Sequence, residues 1–73
     1  MPINMAEKIK NFVFNSRTQA GATQEQLAQA VGVTRQTIIA IEKGNYTPSV
    51  LLALKIAKFF NQPVEKIFKY ESR

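Results

Sequence analysis

Three consecutive polar side chains, Arg35, Gln36 and Thr37, combine residue types and spacing that suit a defined chemistry. Arg can donate two hydrogen bonds to a guanine edge, Gln can pair in the same way with adenine, and a methyl group can touch thymine. They stand at the start of a segment in which Ile38 and Ile41 recur at helical spacing. The segment therefore suits a helix that lies in the major groove of DNA.

A second amphipathic helix precedes this one, and a tight turn at Gly32 joins the two. Thr23 and Gln26 have the spacing of a capping box, in which each side chain bonds the backbone of the other. Apolar residues then follow one helical face: Leu27, Ala28 and Val31. Gly32 can adopt the left-handed conformation that ends a helix, and Thr34 is a suitable N-cap for the next one. Two short helices joined by a turn are thus predicted from Thr23 to Gly44.

This stretch resembles the helix-turn-helix of lambda-repressor-like regulators of the Xre/Cro type. Three segments carry the resemblance: TQEQLAQAVGV, TRQTIIAIEKGNYTPS and LALKIAKFF. The spacing from Thr23 through Gly32 and Glu42 to Gly44 and Pro48 holds without gaps. The resemblance covers most of the chain. It implies an all-α, compact five-helix DNA-binding domain in which helices 2 and 3 form the motif.

The size and charge of the chain fit this interpretation. Its 73 residues suffice for one small domain, which we expect to span residues 1–73. Ten Lys and Arg side chains face five Glu and no Asp, which gives a net charge of +5. Such an excess favours a polyanionic partner, although many small basic proteins bind none. Double-stranded DNA is therefore the expected partner, with the motif as the deciding observation.

Other functional classes find little support in the composition. The chain has no Cys and no His, which excludes disulfides, thiolate metal sites and Cys or His catalysis. We expect no catalytic residue, no metal, no cofactor and no enzymatic activity. The N-terminal residues do not resemble a secretory signal, and no stretch approaches the roughly 18 apolar residues of a membrane span. A cytoplasmic protein that binds no membrane is expected.

Helical periodicity predicts five helices and no strand. The first is predicted from residue 4 or 5 to Gln19, with an inward face of Ile9, Phe12, Val13 and Ser16. Ser16 and Ala22 are smaller than the residues usual at these positions in the family, which puts the packing of this helix in question. Helix 4 is predicted from a Thr47 cap and Pro48 to about Phe60. Helix 5 is predicted from Pro63 to about residue 69, with a frayed end after it.

Helix 4 is apolar around most of its circumference. One stripe contains Val50, Ala53, Leu54, Ala57 and Phe60, and a second contains Leu52, Ile56 and Phe59. Such a helix is either central to the core or in contact with a second subunit. A palindromic DNA site, read by two helices about 34 Å apart, also calls for a two-fold dimer.

We therefore predict a homodimer on a palindromic operator. The predicted interface consists of apolar residues from helices 4 and 5: Val64, Ile67, Phe68, Leu52, Ile56 and Phe59. The N-terminal helix is the rival surface, through Ile3, Met5 and Phe14.

The resemblance, together with residue types and positions on the helices, suggests roles for single residues. The predicted DNA-binding residues are Gln24, Thr34, Arg35, Gln36, Thr37, Ile39, Ala40, Lys43, Asn45 and Tyr46. Gln24 would hold a backbone phosphate at a helix N-terminus, or simply lie next to the cap. Ile39 and Ala40 would meet a thymine methyl group, or be ordinary surface residues. Tyr46 would contact phosphate with its neighbours, or pack on helix 4.

Two further residues are predicted to be structural. The resemblance implies that Arg17, at the end of helix 1, pairs with Glu42 at the end of helix 3, although Arg17 also suits a phosphate. The predicted function is a sequence-specific transcriptional regulator, most plausibly a repressor. The alternative is an antitoxin-like or other module that binds a protein partner as well as DNA.

Overall fold

The computed structural model describes residues 7–71 of the chain. These residues form five helices and two short strands: β1 (Lys8–Asn11), α1 (Val13–Gln19), α2 (Gln24–Val31), α3 (Arg35–Glu42), α4 (Val50–Phe59), α5 (Val64–Ile67) and β2 (Phe68–Glu71). The strands pair antiparallel, with Lys8 opposite Glu71 and Asn11 opposite Phe68. The five predicted helices are present, but the two-stranded sheet means that the fold is not purely all-α.

The core contains apolar residues from every helix. Its fully buried members include Val13 of α1, Leu27 of α2, Ile38 of α3, Ile56 of α4 and Ile67 of α5. Removing such side chains from water is the main favourable contribution to folding, at about 25 cal/mol for each Å² of apolar surface. The core therefore fixes the relative positions of α2 and α3.

The ends of α2 and α3 form as predicted. The Thr23 hydroxyl accepts from the Gln26 N–H at 3.0 Å, and the Gln26 side chain accepts from the Thr23 N–H at 2.8 Å. Gly32 ends α2 with a φ of 79°, in the left-handed region. The Thr34 hydroxyl then accepts from the Thr37 N–H at 3.3 Å and begins α3. Each cap satisfies backbone groups that a helix end would otherwise leave unpaired.

The prediction of one helix up to Gln19 is wrong for the residues before Val13. Lys8–Asn11 is a strand, and the Asn11 side chain accepts from the Val13 N–H at 3.2 Å where α1 begins. The Phe12 N–H donates to the Ile67 carbonyl at 2.8 Å, far along the chain. Ile9, predicted to face inward, is 44% exposed. The proposed helix start at residue 4 or 5 lies outside the described residues.

The boundaries of α4 and α5 also differ from the prediction. Ser49 is the N-cap of α4, because its hydroxyl accepts from the Leu52 N–H at 3.1 Å. Thr47 and Pro48 therefore precede the helix, which ends at Phe59. α5 ends at Ile67 because Phe68 is extended and begins β2. Residues 68–71 are thus paired with β1, whereas the sequence predicted a helix end and fraying.

Three predicted interface residues lie in the core of the chain itself. Leu52, Ile56 and Ile67 are only 8%, 0% and 1% exposed, so they cannot form the surface of a dimer. The prediction for these three residues is wrong because they belong to the buried cluster to which every helix contributes. Val64 and Phe68 are partly buried against the same core. Of the six predicted interface residues, Phe59 alone is substantially exposed.

The outward face of α4 carries other apolar residues. Val50 is 76% exposed, Leu51 is 64% exposed and Leu54 is 50% exposed. Val50 and Leu54, which share an apolar stripe with the buried Ala57, are therefore outside the core. Lys55 and Lys58, farther along the helix, are also exposed. We refer to Val50, Leu51 and Leu54 as the α4 patch.

Within residues 7–71, no helix is long and apolar enough to cross a membrane. In the same part of the chain, no three acidic, His or Cys side chains are grouped so as to hold a metal ion.

Candidate nucleic-acid interface

The helix α3 has one face in the core and the opposite face toward solvent. Ile38 and Ile41 are 0% and 1% exposed, which fixes the rotation of the helix about its axis. Arg35 and Gln36 are exposed on the other side. Thr37, Ile39 and Ala40 are partly buried there, so Ile39 is less exposed than the sequence suggested. The structure thus leaves the polar start of α3 open to a large partner.

Two hydroxyl groups meet at the start of α3. The oxygens of Thr34 and Thr37 are 3.2 Å apart, and Thr34 also caps the helix. Each side chain is therefore held in one orientation before any partner arrives. A site that is oriented in advance loses less entropy on binding.

The predicted pair of Arg17 and Glu42 is formed and nearly buried. Nε of Arg17 lies 2.6 Å from one carboxylate oxygen of Glu42, and Nη2 lies 3.2 Å from the other. The two side chains are 11% and 7% exposed. The hydrogen bond to Glu42 raises the pKa of Arg17, and burial opposes that effect. The pair joins the end of α3 to α1.

Two further contacts extend this pair into a network. The other terminal nitrogen of Arg17 donates to the Ala22 carbonyl at 3.1 Å. The Gln24 side-chain amide donates to Glu42 at 3.1 Å. Glu42 therefore connects α1, α2 and α3. The sequence did not indicate that Gln24 takes part in this network.

Gln24 lies at the N-terminus of α2, beside an open depression. The depression is lined by Arg17, Gly21, Ala22, Thr23, Gln24, Glu25 and Arg35. Two guanidinium groups and the N-terminus of an eight-residue helix share this surface. Helix N-termini favour anions through their free N–H groups and dipole. The arrangement brings together Arg17, Gln24 and Arg35, which the sequence had assigned to different roles.

The loop after α3 returns toward the exposed face of that helix. Gly44 has a φ of 80°, and its N–H donates to the Ile41 carbonyl at 3.0 Å. The Asn45 N–H donates to the Ala40 carbonyl at 2.9 Å, which completes the turn. Lys43, Asn45 and Tyr46 are all exposed. All three predicted loop residues therefore lie at the edge of the α3 surface.

Tyr46 is half-exposed and borders two hollows. One is lined by Gln36, Thr37, Ala40, Asn45 and Tyr46. The other is small and includes Ile9, Asn11, Ile41, Pro48 and Phe68. Tyr46 thus lies near residues of α3 on one side and near residues of the sheet on the other. The sequence did not predict that Tyr46 lies near Ala40, because this proximity depends on the turn at Gly44.

Solved structures share this fold. The restriction-modification controller protein C.AhdI of Aeromonas hydrophila superposes with a TM-score of 0.70 at 28% identity, over 74% of this chain and 82% of that one. The transcriptional regulator VanUg superposes with a TM-score of 0.76 over 100% of this chain and 97% of that one. At 16% identity the second likeness concerns the fold alone.

Relatives from bacteria and archaea are similar in sequence. The uncharacterized HTH-type transcriptional regulator YgzD of Bacillus subtilis is 54% identical over 86% of this chain and 96% of its own length. An HTH-type transcriptional regulator of Methanocaldococcus jannaschii is 57% identical over the same shares. The cryptic phage CTXphi transcriptional repressor RstR of Vibrio cholerae is 33% identical over 70% of this chain and 46% of its own length.

A family model described as Helix-turn-helix matches residues 15–67, from within α1 to the end of α5. This range includes the motif, the Arg17–Glu42 pair and the whole exposed face of α3. The chain therefore belongs to the helix-turn-helix family, in the lambda-repressor-like group that its motifs resemble.

Proposed function

We propose that this protein is a transcriptional regulator that binds double-stranded DNA in a sequence-specific manner, with α3 in the major groove. The observation that carries the proposal is the exposed Arg35-Gln36-Thr37 surface on a helix whose opposite face is in the core. Arg and Gln are the side chains that best match guanine and adenine edges. Relatives named as transcriptional regulators support the same function.

The proposed contacts fall into two groups. Arg35, Gln36 and Thr37 read base edges. Phosphate contacts, which position a protein without reading sequence, come from Gln24 with the α2 N-terminus and from the loop residues Lys43 and Asn45. The Thr34 hydroxyl holds that of Thr37 at the start of α3, and Ile39 is partly buried on the same helix.

We propose repression as the mode of regulation. A protein that occupies a promoter blocks transcription through binding alone, without a further activity. The similarity to a chain named as a phage transcriptional repressor supports this choice. In this role the protein acts in the cytoplasm on a palindromic operator.

The α4 patch supports a two-fold dimer, on a surface different from the predicted one. Contiguous exposed apolar side chains commonly mark a partner surface, and the exposed Lys55 and Lys58 border this patch one turn farther along α4. A two-fold contact places the same patch on both subunits, so its apolar residues would meet one another with the lysines at the edge. Of the interface predicted from the sequence, Phe59 is 38% exposed at the end of α4, and Val64 and Phe68 are partly buried against the core. The rival N-terminal residues Ile3 and Met5 lie outside the described residues, and Phe14 is 54% exposed on α1.

The same patch favours one alternative function, that of a module that binds a different protein. An antitoxin-like chain would use Val50, Leu51 and Leu54 to contact its partner and α3 to contact DNA. The two possibilities differ in stoichiometry. Co-purification with a small protein in equal amounts would favour the alternative, whereas a dimer of this chain alone would favour the regulator.

Selection of bound sequences from random duplex DNA tests the main proposal. We expect a palindromic sequence with two matched half-sites. Arg35→Ala should relax the base preference at one position of each half-site. Lys66→Ala, which removes a positive charge on α5, is the matched control and should select the parent sequence. Recovery of random sequences by the parent protein would contradict the proposal.

A further inference from the structure

The hollow between α3 and the following loop differs chemically from the rest of the proposed DNA surface. Its lining is Gln36, Thr37, Ala40, Asn45 and Tyr46, and none of these residues is charged. We call it the Tyr46 hollow. The neighbouring depression at the α2 N-terminus contains the exposed Arg35 and Glu25, together with Arg17, whose charge is paired with Glu42. Arg35 and the helix N-terminus suit a phosphate better than the uncharged hollow does.

The backbone holds the two walls of the hollow in a fixed relation. The Asn45 N–H bonds the Ala40 carbonyl at 2.9 Å, so the loop is tied directly to the wall formed by α3. Thr37 is held in turn by its contact with Thr34 at 3.2 Å. Tyr46 is 48% exposed, so half of its surface is already covered by the protein. The hollow thus exists before DNA binds.

The lining offers mostly carbon to a partner. The Tyr46 ring, the Ala40 methyl group and the Thr37 methyl group are apolar, and Gln36 supplies a polar edge. In the major groove, the thymine C5-methyl group is the apolar feature that a base pair presents. A hollow on the reading face of α3 is continuous with the surface that would face those methyl groups.

We propose that the Tyr46 hollow receives the methyl group of one thymine in each half-site. Tyr46 is then a specificity-determining residue, through its ring, and Ala40 forms the opposite wall. This inference rests on the proposed function, since it requires that α3 lie in the major groove. It adds a preference for thymine at one position, next to the bases that Arg35 and Gln36 read.

The expected size of the effect follows from the burial of one methyl group. Covering a methylene-sized group is worth a factor of about four in affinity. Replacing that thymine by uracil, which lacks only the methyl group, should weaken binding about fourfold per half-site. Replacement in both half-sites should weaken binding about sixteenfold, because distant sites contribute additively.

The test is a uracil scan of the selected duplex with the intact protein. Each thymine is replaced singly, and the dissociation constant is measured at one salt concentration. At the sensitive position, cytosine and 5-methylcytosine are also compared, since the second carries the same methyl group. We expect 5-methylcytosine to bind about fourfold more tightly than cytosine.

Two variants assign the effect to the ring of Tyr46. Tyr46→Ala should reduce the thymine-to-uracil ratio to about one at the sensitive position. Tyr46→Phe keeps the ring and should keep the ratio, even if loss of the hydroxyl weakens binding to all sequences. Circular dichroism checks that both variants remain folded.

Three results would overturn the inference. A selected site without any uracil-sensitive thymine would do so while leaving the proposed function intact. If the fourfold thymine-to-uracil ratio persists in Tyr46→Ala, the methyl group contacts another residue, and Ile39 is the next candidate. Failure of the protein to prefer any DNA sequence would instead remove the proposed function and this inference together.

Discussion

The exposed faces of α3 and α4 differ in chemistry although both helices contribute to one core. On α3 the outward residues Arg35 and Gln36 are polar, and the surrounding hydroxyl groups are already oriented. On α4 the outward residues Val50 and Leu54 are apolar and 76% and 50% exposed. A polar, oriented surface suits DNA, whose interfaces are wet and charged. An apolar surface suits a protein partner that excludes water.

The comparison shows that a helix can be located from the sequence more easily than its buried face. In α3 only a narrow stripe is apolar, so Ile38 and Ile41 identify the inward side at once. In α4 apolar residues occur on every side, and periodicity offers no contrast between the two faces. The buried residues there are Leu52, Ile56 and Ala57, a choice made by the packing of neighbouring helices.

The largest expected effect concerns the ion pair that holds α3 in place. Arg17→Ala leaves Glu42 charged and nearly buried, which should cost about 3–5 kcal/mol of the free energy of unfolding. Urea denaturation measures this cost. Glu65→Ala, an exposed change on α5, should stay within about 0.5 kcal/mol. In a double-mutant cycle with Glu42→Ala, additive effects would show that the pair does not stabilise the fold.

A charge in the α4 patch should separate the proposed dimer without unfolding the subunit. Leu54→Glu would bring two carboxylates into the two-fold contact, and we expect dimerisation to weaken at least about 100-fold, roughly 2.7 kcal/mol. Sedimentation equilibrium over micromolar concentrations measures the change. Gln29→Glu, which adds one carboxylate at an exposed position of α2, is the control for charge alone and should leave dimerisation unchanged.

Sedimentation of a second variant, Ile67→Glu, tests whether the interface is the α4 patch or the residues that lie in the core. Ile67→Glu would place a carboxylate at a position that is 1% exposed, so it should unfold the chain rather than yield a folded monomer. A folded monomeric Ile67→Glu variant would restore the interface predicted from the sequence. A parent protein that is monomeric at all concentrations and binds DNA as a single unit would exclude the dimer.

Loss of a base reader on α3 should have a smaller effect, confined to certain sequences. Arg35→Ala should cost about 1–3 kcal/mol of discrimination at one base pair of each half-site and leave the unfolding free energy unchanged. Titration of parent and variant against duplexes that differ at that position measures the loss. Because Arg35 also borders the depression at the α2 N-terminus, an equal loss for all sequences would make it a phosphate contact.

The smallest expected effect is at the edge of the α3 surface. Lys43→Ala should weaken binding about equally for all sequences and lower the slope of log affinity against log salt concentration by about one unit. Binding measured at several salt concentrations gives this slope. A changed sequence preference with an unchanged slope would assign Lys43 to a base.

The parts of the fold that depend on neighbours in sequence were predictable. The capping box at Thr23, the left-handed Gly32 and the Thr34 cap each involve residues at most a few positions apart. The resemblance to a family supplied the pair of Arg17 with Glu42, which are far apart in sequence. In the candidate site, the exposed residues of α3 could be predicted from the sequence. The residues that lie next to them in the fold could not.

The remaining features depend on contacts between distant segments. Strand β1 exists because it pairs with β2, and Ile9 lies opposite Tyr70 more than half the chain away. A short segment with mixed helix and strand preferences takes its form from such a partner. The contact of Gln24 with Glu42 and the Tyr46 hollow likewise require that the helices already be in place.

The pairing of Lys8 with Glu71 makes the described backbone a nearly closed ring. Paired strand residues lie only about 5 Å apart, so a peptide of a few residues would join positions 7 and 71 without moving a helix. Closing a ring removes loop-closure entropy from the unfolded chain and stabilises the folded one. New ends could then be opened at the exposed turn of Asn61 and Gln62, where the backbone leaves α4 with a φ of 55° at Asn61. A circular permutant of this design would keep α2, α3 and the loop after them as one uninterrupted segment.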